Sequence, residues 1–126
     1  MSVETLYREG NDNCKTPRWL MSVFADWYDP CPLNGVNGLT SEWGKKTFVN
    51  PPYSNPLPWV EKSIEESRKG KTIVMLVKVD TSTKWWFKLV ESGARFAPFL
   101  GRLRFNDGEP APFPSTLVFL TEVEKK

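Results

Sequence analysis

The sequence predicts an α/β domain with a mostly parallel sheet. Strand-like and helix-like segments alternate along the chain, which is the order that parallel βαβ units require. The apolar run from Ile73 to Val77 is continuous, as in strands that are buried on both faces of a sheet. With 126 residues, 40% of them hydrophobic, the chain has room for one hydrophobic core.

The predicted domain comprises residues 16–126, and the polar residues 1–15 predict a flexible N-terminal arm. Pro17 suits the first turn of a helix, and apolar residues recur at helical spacing from Arg18 to Trp27. The stretch 29–45 is rich in turn-forming residues. A first helix is therefore expected, followed by a long connection.

The remaining segments alternate between strand and helix. Pro58 to Lys69 predicts a helix that Gly70 ends, and Thr83 to Ser92 predicts another that ends at Gly93. The predicted strands are Lys46–Val49, Lys71–Val79, Arg95–Leu100, Leu103–Phe105 and Ser115–Thr121. The first of these strands stops at Asn50, because the prolines that follow cannot continue a ladder.

The composition excludes several classes of protein. The chain has no histidine, which excludes Ser-His-Asp and Cys-His catalysis and histidine-ligated metals. Two cysteines, Cys14 and Cys31, are too few for a disulfide framework or a four-ligand zinc site. We therefore expect no metal and a reducing cytoplasm, which is the host cytoplasm if a virus encodes the protein. No apolar run approaches the ~20 residues of a membrane span, so no membrane association is expected.

One tetrapeptide has the composition of a chemical site. Asn50-Pro51-Pro52-Tyr53 follows a predicted strand, and ligands of open α/β sheets bind at the carboxyl ends of strands. The prolines stiffen the turn and offer carbonyl groups, Asn50 adds a side-chain acceptor, and Tyr53 adds a ring. Two acceptors beside a ring suit an amino group on a planar conjugated system, whose lone pair they would direct towards an electrophile. The alternative is a structural Pro-Pro turn with a buried tyrosine.

Several segments occur in a characteristic order along the chain. They are Thr16-Pro17, Asp29-Pro30-Cys31, Phe48 to Ser54, Pro58 to Lys62, Asp80 to Trp86, Gly101 to Phe105, and Ala111 to Ser115. In this order they resemble the phage-type DNA N6-adenine methyltransferases, the Dam family. The resemblance implies a trimmed Rossmann-like methyltransferase domain that uses S-adenosylmethionine to methylate the N6 amino group of adenine in DNA.

The resemblance also implies roles for individual residues. Asn50 to Tyr53 would hold the target adenine and support catalysis, and Phe113 would cover the other face of the base. The base would have to leave the duplex, since N6 cannot reach a bound cofactor while the base is stacked and paired. Asp80, Thr83 and Trp86 match the pattern without an assigned role, and an N-cap explains Thr83 equally well.

The expected cofactor site is also implied by resemblance. Asp29-Pro30-Cys31 resembles the start of the loop that wraps S-adenosylmethionine, where Asp29 would meet the methionine amino group or the sulfonium charge. Thr16 and Pro17 would lie near the same end. Only 20 residues separate Asp29 from Asn50, which is too few for a further βαβ unit of ~30 residues. The acidic residue that usually binds the ribose in such a unit therefore has no evident counterpart, and Glu42 is the candidate. One way to complete so short a sheet is a second subunit, as in a homodimer.

Two other functions are compatible with the sequence. The same tetrapeptide would serve a methyltransferase that acts on an RNA base or on a protein glutamine. The second alternative is a non-catalytic nucleic-acid-binding module derived from this fold. It would depend on basic residues that are interleaved with aromatic ones, namely Lys84, Lys88, Arg95, Arg102 and Arg104.

Overall fold

The computed structural model describes residues 16–30, 38–52, 54–104 and 109–121. Sequence predictions that lie outside these ranges concern the arm at residues 1–15, Cys31, Tyr53 and Phe105.

The described residues form short helices and strands, which alternate from residue 46 to residue 98 and are followed by a final strand. In chain order these are α1 (Arg18–Val23), a 3-10 helix (Gly38–Thr40), β1 (Lys46–Val49), α2 (Leu57–Ser67), β2 (Thr72–Lys78), α3 (Lys84–Glu91), β3 (Arg95–Pro98) and β4 (Ser115–Leu120). Within the described ranges, no helix combines the length and the apolar character that crossing a bilayer requires.

The start and stop signals of α2 and α3 act as the sequence predicts. Pro58 lies in the first turn of α2, and Gly70 follows its end with a positive φ of 94°. The Thr83 hydroxyl accepts a hydrogen bond from the backbone N–H of Trp86 (3.3 Å), which caps α3. Gly93 follows α3 with a φ of 86°. Both helix predictions are therefore confirmed, including the N-cap interpretation of Thr83.

The first helix is shorter than predicted, because the chain leaves it to pair with the sheet. Helix α1 ends at Val23, and Tyr28 then forms a parallel bridge with Thr47. The Tyr28 N–H donates to the Lys46 carbonyl, and the Tyr28 carbonyl accepts from the Phe48 N–H, both at 2.9 Å. This pairing needs extended backbone at Tyr28, and residues 24–27, which the sequence predicts as helix, instead form the turns that lead into it.

The four strands form one sheet in the order β1-β2-β4-β3. Strands β1 and β2 are parallel, whereas β4 is antiparallel to both β2 and β3. The predicted α/β class is confirmed, but the prediction of a Rossmann-like, mostly parallel sheet is wrong. β1, β2 and β3 do run in the same direction, as their helical connections require. However, β4 lies between β2 and β3 and pairs with both of them.

A predicted strand at Leu103–Phe105 is not formed by its described residues. Arg104 makes a single antiparallel bridge with Pro110, and the Leu103 carbonyl accepts from the Ala111 N–H at 2.7 Å. Since Pro110 has no N–H to donate, this pairing cannot extend into a regular ladder at that position.

The core lies on both faces of the sheet. Helices α2 and α3 cover one face, where buried residues include Val49, Ile73, Met75, Trp59 and Trp85. Helix α1 and the chain around Leu103 cover the other face, where Phe48, Val74 and Leu76 are buried. Trp43, Trp59 and Trp85 are each less than 10% exposed, so core packing explains these three tryptophans.

Candidate functional site

Four segments meet at one edge of the sheet, because β4 is antiparallel to β2. The amino end of β4 lies beside the carboxyl end of β2, where Lys78 is opposite Ser115. The Phe99 N–H donates to the Ser115 carbonyl at 3.0 Å, which adds the chain after β3. We call this edge the site edge, and it consists of residues 50–52, 78–80, 99–101 and 112–114.

Asn50 is held at the site edge by a long-range hydrogen bond. Its side-chain Nδ2 donates to the Thr16 hydroxyl at 2.6 Å, across 34 positions of sequence. Thr16 is 4% exposed and immediately precedes Pro17, the N-cap residue of α1. The bond fixes the plane of the Asn50 amide, and the other end of that amide is the carbonyl Oδ1, an acceptor. The sequence did not indicate this contact, since Thr16 resembled a cofactor residue.

The prolines of the tetrapeptide form the wall of a small apolar depression. It measures about 240 Å³ including its open mouth and is lined by Pro51, Pro52, Pro56, Leu76, Val77, Lys78 and Trp85. Lys78 is the charged residue among them, and it ends the buried strand β2. A charged residue at the carboxyl end of an otherwise apolar strand is a signal that sequence reasoning could have used to find Lys78.

Phe113 lies on the other side of the β2 end. Its ring centroid is 5.9 Å from the Lys78 ammonium nitrogen, and the Pro114 carbonyl accepts from the Val79 N–H at 2.9 Å. The proline turn and Phe113 therefore flank the end of β2, with backbones about two strand spacings or roughly 10 Å apart. This brings a predicted base-binding residue to the same edge as Asn50.

Asp29 follows the residue that pairs with β1. The Tyr28 bridge directs the chain towards the carboxyl end of β1, where Asp29 is exposed and Pro30 is buried. Gly38 lies directly against this turn: a Cβ on Gly38 would be 1.9 Å from the Pro30 carbonyl oxygen. The Gly38 carbonyl also accepts from the Trp43 indole N–H at 2.7 Å. Gly38 therefore sets the position of the Asp29-Pro30 turn.

Glu42 lies at the opposite end of the sheet and does not join the site. Its carboxylate accepts from the Lys71 ammonium at 2.6 Å, and this hydrogen bond lowers the pKa of Glu42. Lys71 precedes β2, whose length separates it from the site edge by roughly 20 Å. The expectation that Glu42 binds the ribose of a cofactor is therefore wrong.

A buried carboxylate organises that opposite end. The Glu66 side chain is 0% exposed and makes ion pairs with Lys62, Lys69 and Lys71. Burial raises the pKa of Glu66, but hydrogen bonds from the three lysines outweigh it and lower the pKa to about 2. Glu66 therefore stays ionised at neutral pH and joins α2 to β2.

The other residues of the family-like pattern have structural contacts. The Asp80 carboxylate accepts from the Ser82 hydroxyl at 2.8 Å, and the Trp86 ring lies 5.0 Å from that of Phe96. These contacts form the turn into α3 and attach α3 to β3. The Asp80 carboxylate also lies 3.8 Å from the Lys78 ammonium, so Asp80 contacts the charged residue of the site edge.

One described residue, Asp29, has the chemistry to meet the charged end of S-adenosylmethionine. Asp29 places an exposed carboxylate next to β1, about one strand spacing from the strand that leads into Asn50. A carboxylate there suits an ammonium or sulfonium group. Glu42, the candidate for binding the ribose, is too distant from the site edge. Among the described residues, the fit therefore concerns only the methionine end of the cofactor.

Comparison with protein families gives a match over most of the chain. A family model described as DNA N-6-adenine-methyltransferase (Dam) matches residues 33–112. Because this is more than half of the 126 residues, the chain belongs to that family. The match includes the Asn50 turn, whereas Thr16, Asp29 and Phe113 lie outside it.

Two curated relatives come from bacteriophages. The DNA N-6-adenine-methyltransferase of Haemophilus phage HP1 (strain HP1c1) is 54% identical over 52 residues, which is 40% of this chain and 30% of the relative. The DNA N-6-adenine-methyltransferase of Escherichia phage T1 is 40% identical over 61 residues, which is 47% of this chain and 26% of the relative. The matched segments thus span less than a third of these relatives. No solved structure gives a significant match.

Proposed function

We propose that this chain methylates the N6 amino group of adenine in DNA with S-adenosylmethionine as the methyl donor. The observation that carries the proposal is the Asn50-Pro51-Pro52 turn at the carboxyl end of β1, with the Asn50 amide fixed by Thr16 (2.6 Å). Membership of the Dam family and the names of the two phage relatives support DNA as the substrate.

The chemistry assigned to the turn is orientation of an amino group. Asn50 Oδ1 and a proline carbonyl accept the two N6 hydrogens, which directs the nitrogen lone pair away from the ring. Since Thr16 engages the Nδ2 end of the amide, Oδ1 is the Asn50 atom that we assign to the base. The N6 lone pair would form the new N–C bond as the methyl–sulfur bond of the donor breaks. The proton would then leave N6 to solvent, because the chain has no histidine to accept it.

Phe113 and Lys78 have supporting roles in this proposal. Phe113 stacks on the extruded base from the side opposite the proline turn, because the two flank the end of β2. Lys78 lies 5.9 Å from the Phe113 ring and 3.8 Å from the Asp80 carboxylate, and these contacts hold the end of β2 beside Phe113.

The cofactor is assigned to the Asp29 side of the turn. When bound there, S-adenosylmethionine supplies an electrophilic methyl group. The Asp29 carboxylate holds its positively charged end, and Pro30 and Gly38 keep that carboxylate at the sheet edge. Pro17 and Thr16 close the same region, since Thr16 contacts Asn50 directly.

Identification of the methylated product tests the proposal. The protein is incubated with S-adenosylmethionine labelled in the methyl group and with unmethylated duplex DNA, RNA or a glutamine-rich protein. We expect the label in DNA, recovered as N6-methyladenine after digestion to nucleosides. Label confined to RNA or protein contradicts the choice of substrate, and DNA binding without any label supports the non-catalytic module instead.

A further inference from the structure

An exposed apolar patch lies beside the Asn50 turn. Trp19 is 54% exposed on α1, one turn after Thr16, and Leu100 is fully exposed after β3. Phe99 joins them, since its ring makes an edge-to-face contact with Trp19 at 6.1 Å between centroids. We call Trp19, Phe99 and Leu100 the rim patch. The rim patch extends from α1, next to Thr16, to the residues that follow β3 at the other side of the site edge.

The chain that precedes Leu100 is held in place by contacts with the sheet and the core. The Phe99 N–H is bonded to the Ser115 carbonyl at 3.0 Å, and Phe99 packs against the buried residues of the α1 face. Gly101 then turns the chain with a φ of 69°. Leu100 is therefore held at the tip of a turn with no described neighbour covering its side chain, and it extends the apolar surface formed by Trp19 and Phe99.

Two arginines lie next to the patch in sequence. Arg18 precedes Trp19, Arg102 follows Gly101, and both arginines are exposed. An apolar tip between arginines is complementary to a nucleic-acid duplex, because the arginines meet phosphates while the tip meets the bases. A purely apolar protein partner would not require these charges.

We infer that the rim patch contacts duplex DNA beside the target adenine and that Leu100 enters the gap which the extruded base leaves. The inference rests on the proposed function. Leu100 follows β3, three strand positions from β1, so it lies about 14 Å to the side of Asn50. We call such an inserted side chain a wedge. A wedge must lie to the side of the residues that hold the extruded base, since it occupies the position that the base had in the duplex.

The wedge lowers the cost of extrusion. Removing a base unstacks its neighbours, and an inserted apolar side chain restores part of the lost contact. The benefit is therefore largest for a paired adenine and smallest where extrusion is already easy, for example opposite an abasic position. This dependence on the opposite nucleotide distinguishes a wedge from a general DNA contact.

The test compares Leu100→Ala with Val90→Ala. Val90 is also an exposed apolar residue (47%), but it lies near the end of α3, remote from the site edge. Methyl transfer is measured on one duplex with thymine opposite the target and on another with an abasic position there. Leu100→Ala should lose roughly 10-fold or more on the paired duplex and match the wild type on the abasic duplex. Val90→Ala should match the wild type on both.

The outcomes separate this inference from the proposed function. If the wild type methylates DNA and Leu100→Ala is equally active on the paired duplex, the wedge is wrong and the proposed function stands. If nothing methylates, the proposed function fails, and fluorescence of 2-aminopurine at the target position decides about the wedge. A rise on binding of the wild type and Val90→Ala, but not of Leu100→Ala, supports the wedge. No rise with the wild type overturns it.

A second copy of the chain is the competing occupant of the patch. Sedimentation of the wild type and Leu100→Ala without DNA identifies it. A dimer that Leu100→Ala converts to monomers would mean that the patch is a subunit interface, and it would overturn the DNA contact.

Discussion

A long-range hydrogen bond positions the Asn50 amide. An asparagine amide has a donor end and an acceptor end, and the Thr16 hydroxyl engages the donor end at 2.6 Å. Thr16 was expected near the cofactor because of its resemblance to a family motif, and its contact with Asn50 adds a second role at the same place. Thr16 is therefore a positioning residue for the proposed base site.

Thr16→Val should slow methyl transfer with little loss of fold stability. Valine keeps the buried volume and removes the hydroxyl, so the Asn50 amide loses its hydrogen bond to residue 16. One hydrogen bond of this kind contributes about 0.5–1.5 kcal/mol, which corresponds to a kcat lowered by up to roughly 10-fold. The measurement is kcat and KM on duplex DNA, with thermal melting as the check on folding.

Thr16→Ser is the matched control for this prediction, because it retains the hydroxyl and loses a methyl group. It should keep most of the wild-type kcat. If Thr16→Val and Thr16→Ser have the same kcat, the hydrogen bond has no part in catalysis and Thr16 acts through packing alone.

Helices and buried strands could be predicted because their signals are local. Gly70 and Thr83 mark helix ends by conformational preference and capping, and the apolar run of β2 marks a buried strand. The position of β4 could not be predicted, because strand order depends on long-range pairing that no local pattern encodes. The site followed the same division: the Asn50 turn was recognisable from its residues, whereas its contact with Thr16 requires the folded chain.

Gly38→Ala tests whether the 3-10 helix positions the Asp29 turn. The new Cβ would lie 1.9 Å from the Pro30 carbonyl oxygen, so backbone must move. We expect a loss of about 1–3 kcal/mol in the free energy of unfolding and weaker binding of S-adenosylmethionine. Chemical denaturation and calorimetric titration measure the two effects.

Thr40→Ala provides the comparison for Gly38→Ala, since Thr40 is exposed in the same 3-10 helix. Its unfolding free energy should stay within about 0.5 kcal/mol of the wild type. Wild-type stability and cofactor affinity in Gly38→Ala would show that the turn does not depend on this close approach.

At the scale of the whole molecule, the proposed site and the buried ion-pair cluster lie at opposite ends of the sheet. The site edge collects the predicted substrate residues at the carboxyl ends of β1 and β2, while the opposite end holds Glu66 among three lysines. Because the two ends are roughly 20 Å apart, substitutions at Glu66 should change stability without touching the proposed chemistry. Whether a homodimer completes the sheet stays a prediction.

Stability should fall in acid through Glu66. Its pKa is about 2 in the folded chain against 4.5 without partners. A lowered folded pKa means that the contribution is complete above pH 4.5 and is lost as the pH falls towards 2, by at most about 3 kcal/mol. Denaturant unfolding between pH 2 and pH 6 should therefore show a steeper loss in the wild type than in Glu66→Gln.

Glu65→Gln is the control for the acid prediction, because Glu65 is the exposed neighbour on α2. Its pH dependence should follow that of the wild type. Equal slopes for the wild type and Glu66→Gln over this range would contradict the assignment of acid sensitivity to the buried carboxylate.

The central claim is that Asn50 orients an adenine amino group for methylation, and Asn50→Ala tests it most directly against Asn55→Ala. Asn55 is an exposed asparagine in the loop that follows. The account predicts that Asn50→Ala lowers the rate of methyl transfer to DNA by about 100- to 1,000-fold, as for the loss of an oriented donor in an oxyanion hole. Affinity for S-adenosylmethionine should be nearly unchanged, and Asn55→Ala should retain the wild-type rate. A folded Asn50→Ala variant that methylates DNA at close to the wild-type rate would contradict the account.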